Sequence, residues 1–327
     1  MIKEKRTKAY WRASVFITVY ALTTSVYSAS PFPRIDISAQ PRQIVLTLDG
    51  KPLATYVYQD PKIPRPYFKD LCAPGGNQVT RNHPPREGVD RMDHPDYHPG
   101  LWLAFGDLGA ADFWRNKARV EHVEFTAPPY ASGDRAGFTV RNRYIDGDRT
   151  VCEEICAYTL LIRPAGTLIL WDSTFQSKEG DFWFGDQEEM GLGVRLATPI
   201  MVKSRQGGRI LNNHGQKDEK GTWGKIAAWC DYSGWIEGQF VGVTIMPDPA
   251  NVRPCWWHSR DYGFFTANPF GRKAFKAGPP SKIPVKRGKA FKLAYGILLH
   301  AGSGEDTCDL PGAYQDYLNL LKSKGTR

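Results

Sequence analysis

The sequence predicts an all-β fold, a large antiparallel β-sandwich that carries one long irregular loop and ends in one helix. Strand-length apolar runs follow one another along the 327 residues, and turn residues separate them. The 32 glycines and 24 prolines supply many such turns and leave little room for long helices. Because strands follow strands instead of alternating with helices, an antiparallel sandwich is favoured over a parallel sheet. One sandwich can accommodate most of the chain, so we predict a single domain over residues 29–327.

The predicted strands begin soon after the N-terminus. Residues 34–48 and 52–58 alternate partly between apolar and polar side chains, and the turn dipeptide Asp49-Gly50 separates them. A helix is predicted over residues 312–324, because aromatic and leucine side chains recur there at helical spacing. The remaining strands are predicted at residues 101–106, 119–126, 137–145, 150–162, 167–176, 190–197, 225–231, 239–246, 263–267 and 290–300.

Residues 60–99 have a different character from the rest of the chain. The segment is rich in proline, glycine, histidine and charged residues, and it has no apolar period. A segment of this length without regular structure inside a compact domain is usually functional or disordered. Its Tyr67, Phe68 and Leu71 favour an ordered, packed segment. We therefore predict an irregular active-site loop.

The N-terminus has the pattern of an export signal. Basic residues up to Arg12 precede an apolar stretch over residues 13–29, and Val26-Tyr27-Ser28 resembles a cleavage site. We predict a signal peptide over residues 1–28 and a periplasmic or extracellular protein, with an uncleaved anchor as the alternative. Export would permit disulfides. Cys152 and Cys156, however, would lie about 13 Å apart on one predicted strand, too far to pair.

The composition excludes two classes of protein. The mean hydropathy of −0.44 excludes a multi-span membrane protein, and the mature chain is expected to have no membrane span. The net charge is +9, but part of it lies in the predicted signal peptide. No run of basic residues interleaved with aromatic residues is present, so a nucleic-acid partner is not expected.

The first candidate site lies at the end of the irregular segment. His94 and His98 each precede a proline, which favours an extended backbone and excludes the helical zinc-binding arrangement. Near the acidic residues of this segment they could be acid/base catalysts or ligands of a divalent metal ion. His83 and Arg91 are candidate substrate-binding residues. The alternative is that these histidines only fix a long loop by hydrogen bonds.

Two further segments carry candidate residues. Glu189, in a stretch of acidic residues just before a predicted strand, could serve as a general base or bind a hydroxylated ligand; a solvated turn is the alternative. The segment 254–263 combines aromatic, basic and acidic side chains that suit sugar binding; a buried aromatic corner with an Arg–Asp pair is the alternative. Its candidate residues are Trp256, Trp257, His258, Arg260 and Asp261.

Several segments together resemble a known bacterial family. They include Arg65-Pro66-Tyr67-Phe68, the run from Thr80 to Asp107 and the run Trp257-His258-Ser259-Arg260-Asp261-Tyr262-Gly263 with Asn268-Pro269-Phe270-Gly271. In these segments the chain resembles the PmoA-like family, also named methane oxygenase PmoA and otherwise a domain of unknown function. A methane oxygenase subunit would span the membrane several times, and nothing after residue 29 is apolar enough to do so. The resemblance implies an exported β-sandwich similar to the galactose-mutarotase supersandwich, with a carbohydrate ligand.

The sequence therefore predicts a carbohydrate-active enzyme that uses acid/base catalysis, as an epimerase, mutarotase, lyase or hydrolase. His98 and His258 would carry protons, Glu189 or Asp261 would be the partner base, and Trp102, Trp256 and Trp257 would stack on the sugar. One alternative is a glycan-binding module without catalysis. The other is a metal-dependent enzyme with His94 and His98 as ligands. No cofactor is required by the sequence, although a divalent metal ion would be compatible with it.

Overall fold

Two eight-stranded antiparallel sheets pack face to face in this computed structural model, which describes residues 33–325. The predicted signal peptide, residues 1–28, lies outside the described residues. Within residues 33–325, no helix has the length and apolar character that crossing a membrane requires. The predicted all-β sandwich is confirmed.

The elements follow one another in chain order. The first half contains β1 (Ile35–Gln40), β2 (Gln43–Leu48), β3 (Lys51–Val57), β4 (Tyr67–Lys69), β5 (Leu101–Phe105), β6 (Arg119–Ser132), β7 (Arg135–Asp146), β8 (Arg149–Arg163) and β9 (Gly166–Gln176). The second half contains β10 (Phe182–Phe184), β11 (Met190–Arg195), β12 (Arg209–Asn212), α1 (Asp218–Thr222), β13 (Cys230–Ile236), β14 (Gln239–Pro247), β15 (Trp256–Arg260), β16 (Phe264–Asn268), β17 (Ile283–Val285), β18 (Phe291–Gly302) and α2 (Leu310–Gly325).

The strand order defines three packed layers of side chains. The first sheet has the order β1-β2-β3-β4-β5-β11-β16-β15 and the second has the order β12-β13-β14-β18-β9-β8-β7-β6, while β10 and β17 form a separate pair. The main core lies between the two large sheets. A second apolar cluster lies between the outer face of the second sheet and α2. A third cluster covers the outer face of the first sheet beneath the irregular segment.

The structure differs from the sequence prediction at several strand boundaries. The predicted strand 34–48 is two strands, because the chain turns at Pro41-Arg42, where Arg42 has a φ of +70°. The strand predicted at residues 225–231 begins only at Cys230, and Ile226 is exposed. β6 continues through two prolines to Ser132, which an edge strand with register shifts allows. The C-terminal helix begins two residues earlier than predicted, at Leu310.

The cysteines of the described residues are free thiols. Cys72, Cys152, Cys156, Cys230 and Cys255 are buried, and Cys308 is half-buried. Cys152 and Cys156 lie on β8, as predicted, and are not bonded to each other. The sandwich is therefore held together by its three apolar clusters without covalent links between its strands.

Candidate functional site

The outer face of the first sheet presents one row of side chains across four strands. Trp102 on β5 lies opposite Gly193 on β11, Gly193 lies opposite Thr266 on β16, and Thr266 lies opposite His258 on β15. A Cβ atom at Gly193 would lie 3.0 Å from the Trp102 ring and 3.1 Å from the Trp114 ring. The absence of a side chain at this position therefore lets two indoles pack onto the sheet.

A cavity of about 110 Å³ opens above this row. It brings together three of the predicted catalytic residues, His98, His258 and Glu189, with the candidate metal ligand His94. The other side chains in its wall are Tyr97, Trp114, Arg115, Tyr262 and Phe264. Proton carriers, one carboxylate and aromatic faces thus meet at one place, although they come from the irregular segment and from the ends of several strands.

His98 is held in a stack of rings. Its imidazole lies 4.9 Å from the Trp102 ring and 4.7 Å from the Phe264 ring, and the planes of His98 and Phe264 differ by only 7°. Burial, followed by the positive charge of Arg195, lowers the pKa of His98 well below its ordinary value. His98 is therefore a neutral imidazole near neutral pH, in a fixed orientation.

His258 is a second neutral imidazole in the cavity wall. Its Nδ1 lies 3.2 Å from the carbonyl oxygen of Glu188 and must donate to it, because a carbonyl oxygen only accepts. Nε2 then carries a lone pair and has no hydrogen-bond partner. Burial and the neighbouring Arg260 lower the pKa of His258 to about 3.

The 3.3 Å distance from His258 Nε2 to Glu188 Oε1 also suits an ion pair. We favour the neutral imidazole, because that carboxylate already accepts a hydrogen bond from Arg260 Nη2 at 2.7 Å and from Trp223 Nε1 at 2.7 Å. The Glu188 charge is therefore largely compensated before His258 is considered.

Glu189 is positioned by an arginine. Oε2 of Glu189 lies 2.7 Å from Arg115 Nη2, and Nη1 of Arg115 donates to Asp112 at 3.2 Å and to Gln187 at 3.3 Å. Both members of the pair are about one-third exposed. The carboxylate is thus fixed in the wall and still accessible to a ligand.

A buried arginine fixes the irregular segment above the sheet. Nη1 of Arg81 donates to the carbonyl oxygens of Arg91 and Asp93, and Nη2 donates to those of His94 and His98. The Asp93 carboxylate accepts a hydrogen bond from Arg195 at 2.6 Å and pairs with Arg91 at 3.0 Å. The segment that supplies His94 and His98 is therefore ordered.

The predicted stacking tryptophans lie in the core. Trp102 and Trp257 are fully buried and Trp256 is 6% exposed. None of the three lines the cavity, so they do not offer a face to a ligand there. Trp102 instead supports His98 from below. Trp257 faces the main core between the two sheets, whereas the irregular segment and neighbouring loops cover Trp102 on the outer face of the first sheet.

The other predicted binding residues also lie outside the cavity wall. His83 packs against Tyr67 at 5.2 Å, and burial lowers the pKa of His83 to about 4. Arg91 lies over the ring of Tyr262 at 4.9 Å. Arg260 pairs with Glu188 at 2.7 Å and with Glu219 at 3.1 Å.

The Asp261 carboxylate binds a backbone N–H group of α1. Its Oδ1 accepts a hydrogen bond from the backbone N–H of Glu219 in α1 at 2.8 Å. Burial and the neighbouring Glu219 raise the pKa of Asp261. Asp261 is not part of the cavity wall, so of the two candidate bases only Glu189 shares the cavity with the histidines.

The metal hypothesis lacks a third ligand. The rings of His94 and His98 lie 5.1 Å apart. Across residues 33–325, no group of three or more His, Cys, Asp or Glu side chains is arranged to hold a metal ion. His94 has a φ of +48°, which turns the chain so that both rings reach the cavity.

Sequence reasoning did not assign a role to several residues of the wall. Arg115 was missed because a basic residue after Trp114 carries no motif of its own. Tyr262 lies within the segment 254–263 and Phe264 directly after it, at alternate positions, a spacing that can place both side chains on one face where the chain is extended. That spacing was the one signal that could have found them.

Comparison with known proteins assigns a family. The profile described as "Family of unknown function (DUF6807)" matches residues 43–309, most of the chain. The assignment to the PmoA-like family made from the sequence is therefore wrong. No curated protein matches the chain.

Solved structures resemble the chain only distantly. The galactosidase domain of alpha-galactosidase-sucrose kinase AgaSK is 12% identical, with a TM-score of 0.43 over 82% of this chain and 42% of that one. Heparan sulfate lyase HepC from Pedobacter heparinus, a mutant, is 6% identical, with a TM-score of 0.39 over 84% and 36%. A galactose mutarotase-like protein from Lactobacillus casei is 9% identical, with a TM-score of 0.35 over 81% and 100%.

The chain spans less than half the length of the first two of these structures. The family profile, in contrast, covers the second sheet, every strand of the first sheet except β1, and every residue of the cavity wall. The chain therefore belongs to the family of unknown function DUF6807.

Proposed function

We propose that this protein is a carbohydrate-active enzyme that uses acid/base catalysis, with His98 and His258 as proton carriers and Glu189 as the partner carboxylate. The observation that carries the proposal is the meeting of these three side chains in one cavity. The proposal includes export to the periplasm or the extracellular space, which rests on the N-terminal sequence alone.

The chemistry of the wall suits a hydroxylated ring. Glu189 and Arg115 can accept and donate hydrogen bonds to hydroxyl groups. Tyr262, which is half-buried, offers aromatic surface to the C–H face of such a ring, and Trp114 and Phe264, each 1% exposed, border the same cavity. A cavity of about 110 Å³ receives one ring or part of it, with the rest of a longer ligand lying outside. A sugar combines these two kinds of surface.

Two neutral imidazoles favour proton transfer in both directions. One neutral imidazole can accept a proton from a hydroxyl or an acidic C–H bond, and the imidazolium so formed can then return that proton to another position of the ring, directly or through the second histidine. His258 Nε2, with its unpartnered lone pair, is suited to accept. Isomerisation of a sugar by epimerisation or mutarotation needs no further reactant, so it is the simplest reaction that this arrangement supports; a lyase or hydrolase would use the same groups.

Catalysis is favoured over binding without catalysis by the burial of the tryptophans. A glycan-binding surface would need exposed indole faces, and Trp102, Trp256 and Trp257 are at most 6% exposed. The cavity wall instead contains three histidines. A site intended only for binding has no need of groups that exchange protons.

The proposal is tested first by ligand-dependent melting of the full chain against monosaccharides, oligosaccharides and oxidised sugars. A ligand at a hundred times its Kd adds about 2.7 kcal/mol to stability, which corresponds to a shift of several degrees. Products of each stabilising sugar are then followed by NMR. A panel without any shift would remove the carbohydrate class from the proposal.

Matched variants test the catalytic roles. Glu189→Gln, His98→Gln and His258→Gln should each lower turnover by about a hundredfold or more, because general acid/base groups typically contribute that much. Asp261→Asn is the control, since Asp261 lies outside the cavity wall. Full turnover by a folded His98 or His258 variant would contradict the assignment.

A further inference from the structure

The motif Asn268-Pro269-Phe270-Gly271 begins at the last residue of β16, and none of its side chains belongs to the cavity wall. Asn268 is nevertheless fully buried. A buried amide needs partners for its two N–H bonds and for its oxygen, because leaving them unpaired would lower stability. The partners of Asn268 therefore indicate what this motif contributes to the site.

The Asn268 amide joins its own turn to the segment that precedes β11. Nδ2 donates to the carbonyl oxygens of Gln187 at 2.8 Å and of Glu188 at 3.0 Å. Oδ1 accepts from the backbone N–H groups of Phe270 at 2.7 Å and of Gly271 at 3.0 Å. A Cβ atom at Gly271 would lie 2.7 Å from the carbonyl oxygen of Gln187, so a glycine is needed for this close approach. The orientation of the amide is fixed, because carbonyl oxygens only accept and backbone N–H groups only donate.

The carbonyl oxygen of Glu188 is shared between Asn268 and His258. The oxygen that accepts from the Asn268 amide also accepts from His258 Nδ1, at 3.2 Å. The lone pair of the imidazole is then on Nε2, which lies 3.3 Å from Oε1 of Glu188. If this carbonyl group turned away, the proton could move to Nε2 and be donated to that carboxylate, and the lone pair would be on Nδ1 instead. The position of one carbonyl group thus selects between the two tautomers of His258.

The segment fixed by Asn268 also supplies the carboxylate of the site. Oε1 of Gln187 accepts a hydrogen bond from Arg115 Nη1 at 3.3 Å, and the Glu189 carboxylate lies 2.7 Å from Arg115 Nη2. The carbonyl oxygen of Glu189 accepts from the backbone N–H of Gly106 at 2.9 Å. The segment is therefore held by Gly106 at one end and by Asn268 at the other, and both contacts help to place Glu189.

We infer that Asn268 is a positioning residue of the proposed catalytic site, whose amide fixes the Glu188 carbonyl oxygen so that His258 keeps its Nε2 lone pair free to accept a proton from a ligand. Asn268 lies outside the cavity wall, so it acts through His258 and is not itself a catalytic residue. A base in the other tautomer would have a proton where it needs a lone pair. The catalytic meaning of this inference rests on the proposed function, whereas the tautomer can be measured without any substrate.

The test is the tautomer of His258, which is read from the NMR chemical shifts of its two ring nitrogens in the full-length protein at about pH 7.5. The signals are identified by their loss in His258→Gln. We expect the wild type to carry the proton on Nδ1 in at least about a tenfold excess over Nε2. Asn268→Asp keeps an accepting oxygen for the turn but can donate at most one hydrogen bond, and Asn268→Ala donates none. In both variants we expect the ratio of the two tautomers to fall at least about tenfold.

Asn251→Asp is the matched control. Asn251 is also buried, and its amide likewise binds backbone groups: Nδ2 donates to the carbonyl oxygen of Ala294 at 2.9 Å, and Oδ1 accepts from the N–H of Ala294 at 2.8 Å. The control thus loses a comparable hydrogen bond outside the cavity wall, and it should keep the wild-type tautomer ratio of His258. An equal change in the control would show that the ratio reports general loosening of the fold, and it would overturn the inference.

The wild type and the Asn268 variants can each contradict the inference. A wild-type His258 with its proton on Nε2 does so, and so does a folded Asn268 variant that keeps the wild-type ratio. If neither variant folds, the wild-type spectrum decides. For a sugar that the protein turns over, kcat of Asn268→Ala should fall at least about tenfold with little change in KM, because the side chains that face the ligand remain. A protein that turns over no sugar contradicts the proposed function but not the measured tautomer.

Discussion

The protonation state of His258 can be tested through the pH dependence of stability. The perturbation is acidification from about pH 7.5 to about pH 5, applied to the wild type and to His258→Gln. In the folded protein the pKa of His258 is lowered to about 3, whereas in the unfolded chain it is about 6.5. Between these two values the unfolded state binds a proton that the folded state does not bind. Acid therefore stabilises the unfolded state relative to the folded one.

The magnitude follows from the two pKa values. At about pH 5 the unfolded histidine gains about 2 kcal/mol by protonation, and the folded one gains almost nothing. At about pH 7.5 the protonation of His258 contributes almost no free energy in either the folded or the unfolded state. The wild type should therefore lose about 2 kcal/mol more than His258→Gln over this pH range. The contribution of His258 is complete above about 6.5 and is lost as the pH falls towards about 3.

The assay is urea unfolding followed by tryptophan fluorescence at both pH values. The difference between the two proteins cancels the contributions of other groups, including His98 and His83, whose pKa values are also lowered by burial. His214→Gln, at an exposed position, controls for the loss of an imidazole. If His258 were instead an imidazolium paired with Glu188, acidification would favour the folded wild type relative to the variant. A difference of that sign would refute the neutral imidazole on which the proposed chemistry depends.

Three further predictions concern stability and are measured by urea unfolding near neutral pH. Gly242→Ala should lower the free energy of unfolding by about 2 kcal/mol or more, because the new Cβ would lie 2.6 Å from His300 Nε2. Gly221→Ala, whose new Cβ would have its nearest contact at 3.5 Å, is the control. Equal losses of stability in the two variants would contradict the close approach at Gly242. Asp93→Asn should lower the free energy of unfolding by about 3 kcal/mol, since the buried guanidinium of Arg195 loses its carboxylate partner. A loss below about 1 kcal/mol would show that this ion pair does not hold the irregular segment in place. Asp316→Asn should cost less than about 1 kcal/mol, because its bond to Arg163 is about 30% exposed, and a larger loss would mean that this pair fixes α2 to the sheet.

Much of the sandwich could be predicted from the sequence, because local patterns carry that information. β7, β8 and β9 follow from alternating apolar side chains that face the core between the sheets. The prediction of a strand at residues 225–231 was wrong for a physical reason. Its apolar residues do not form a ladder, and only one isolated bridge joins Ile226 to Trp256.

The candidate site was predictable in its residue types and not in its geometry. His98, His258 and Glu189 were identified by chemistry, and pairing between β5, β11, β16 and β15 brings their segments together. The burial of Trp256 and Trp257 could not be predicted, because Trp257 packs into the core between the two sheets and Trp256 packs against Phe275 of a loop that is distant in sequence. Arg81 also gave no local signal, since its four carbonyl partners are defined only by the path of the folded segment.

The anchoring of the irregular segment by Arg81 has a consequence for ligand binding. Residues 91–98 are tied from below to a side chain that is itself 2% exposed, so this stretch cannot swing away as a lid without leaving a buried cation unpaired. A ligand would meet a wall that is already in its final arrangement. The entropy of ordering a loop, which often weakens binding, would then be absent, and affinity would depend directly on the fit between the ligand and the rigid wall.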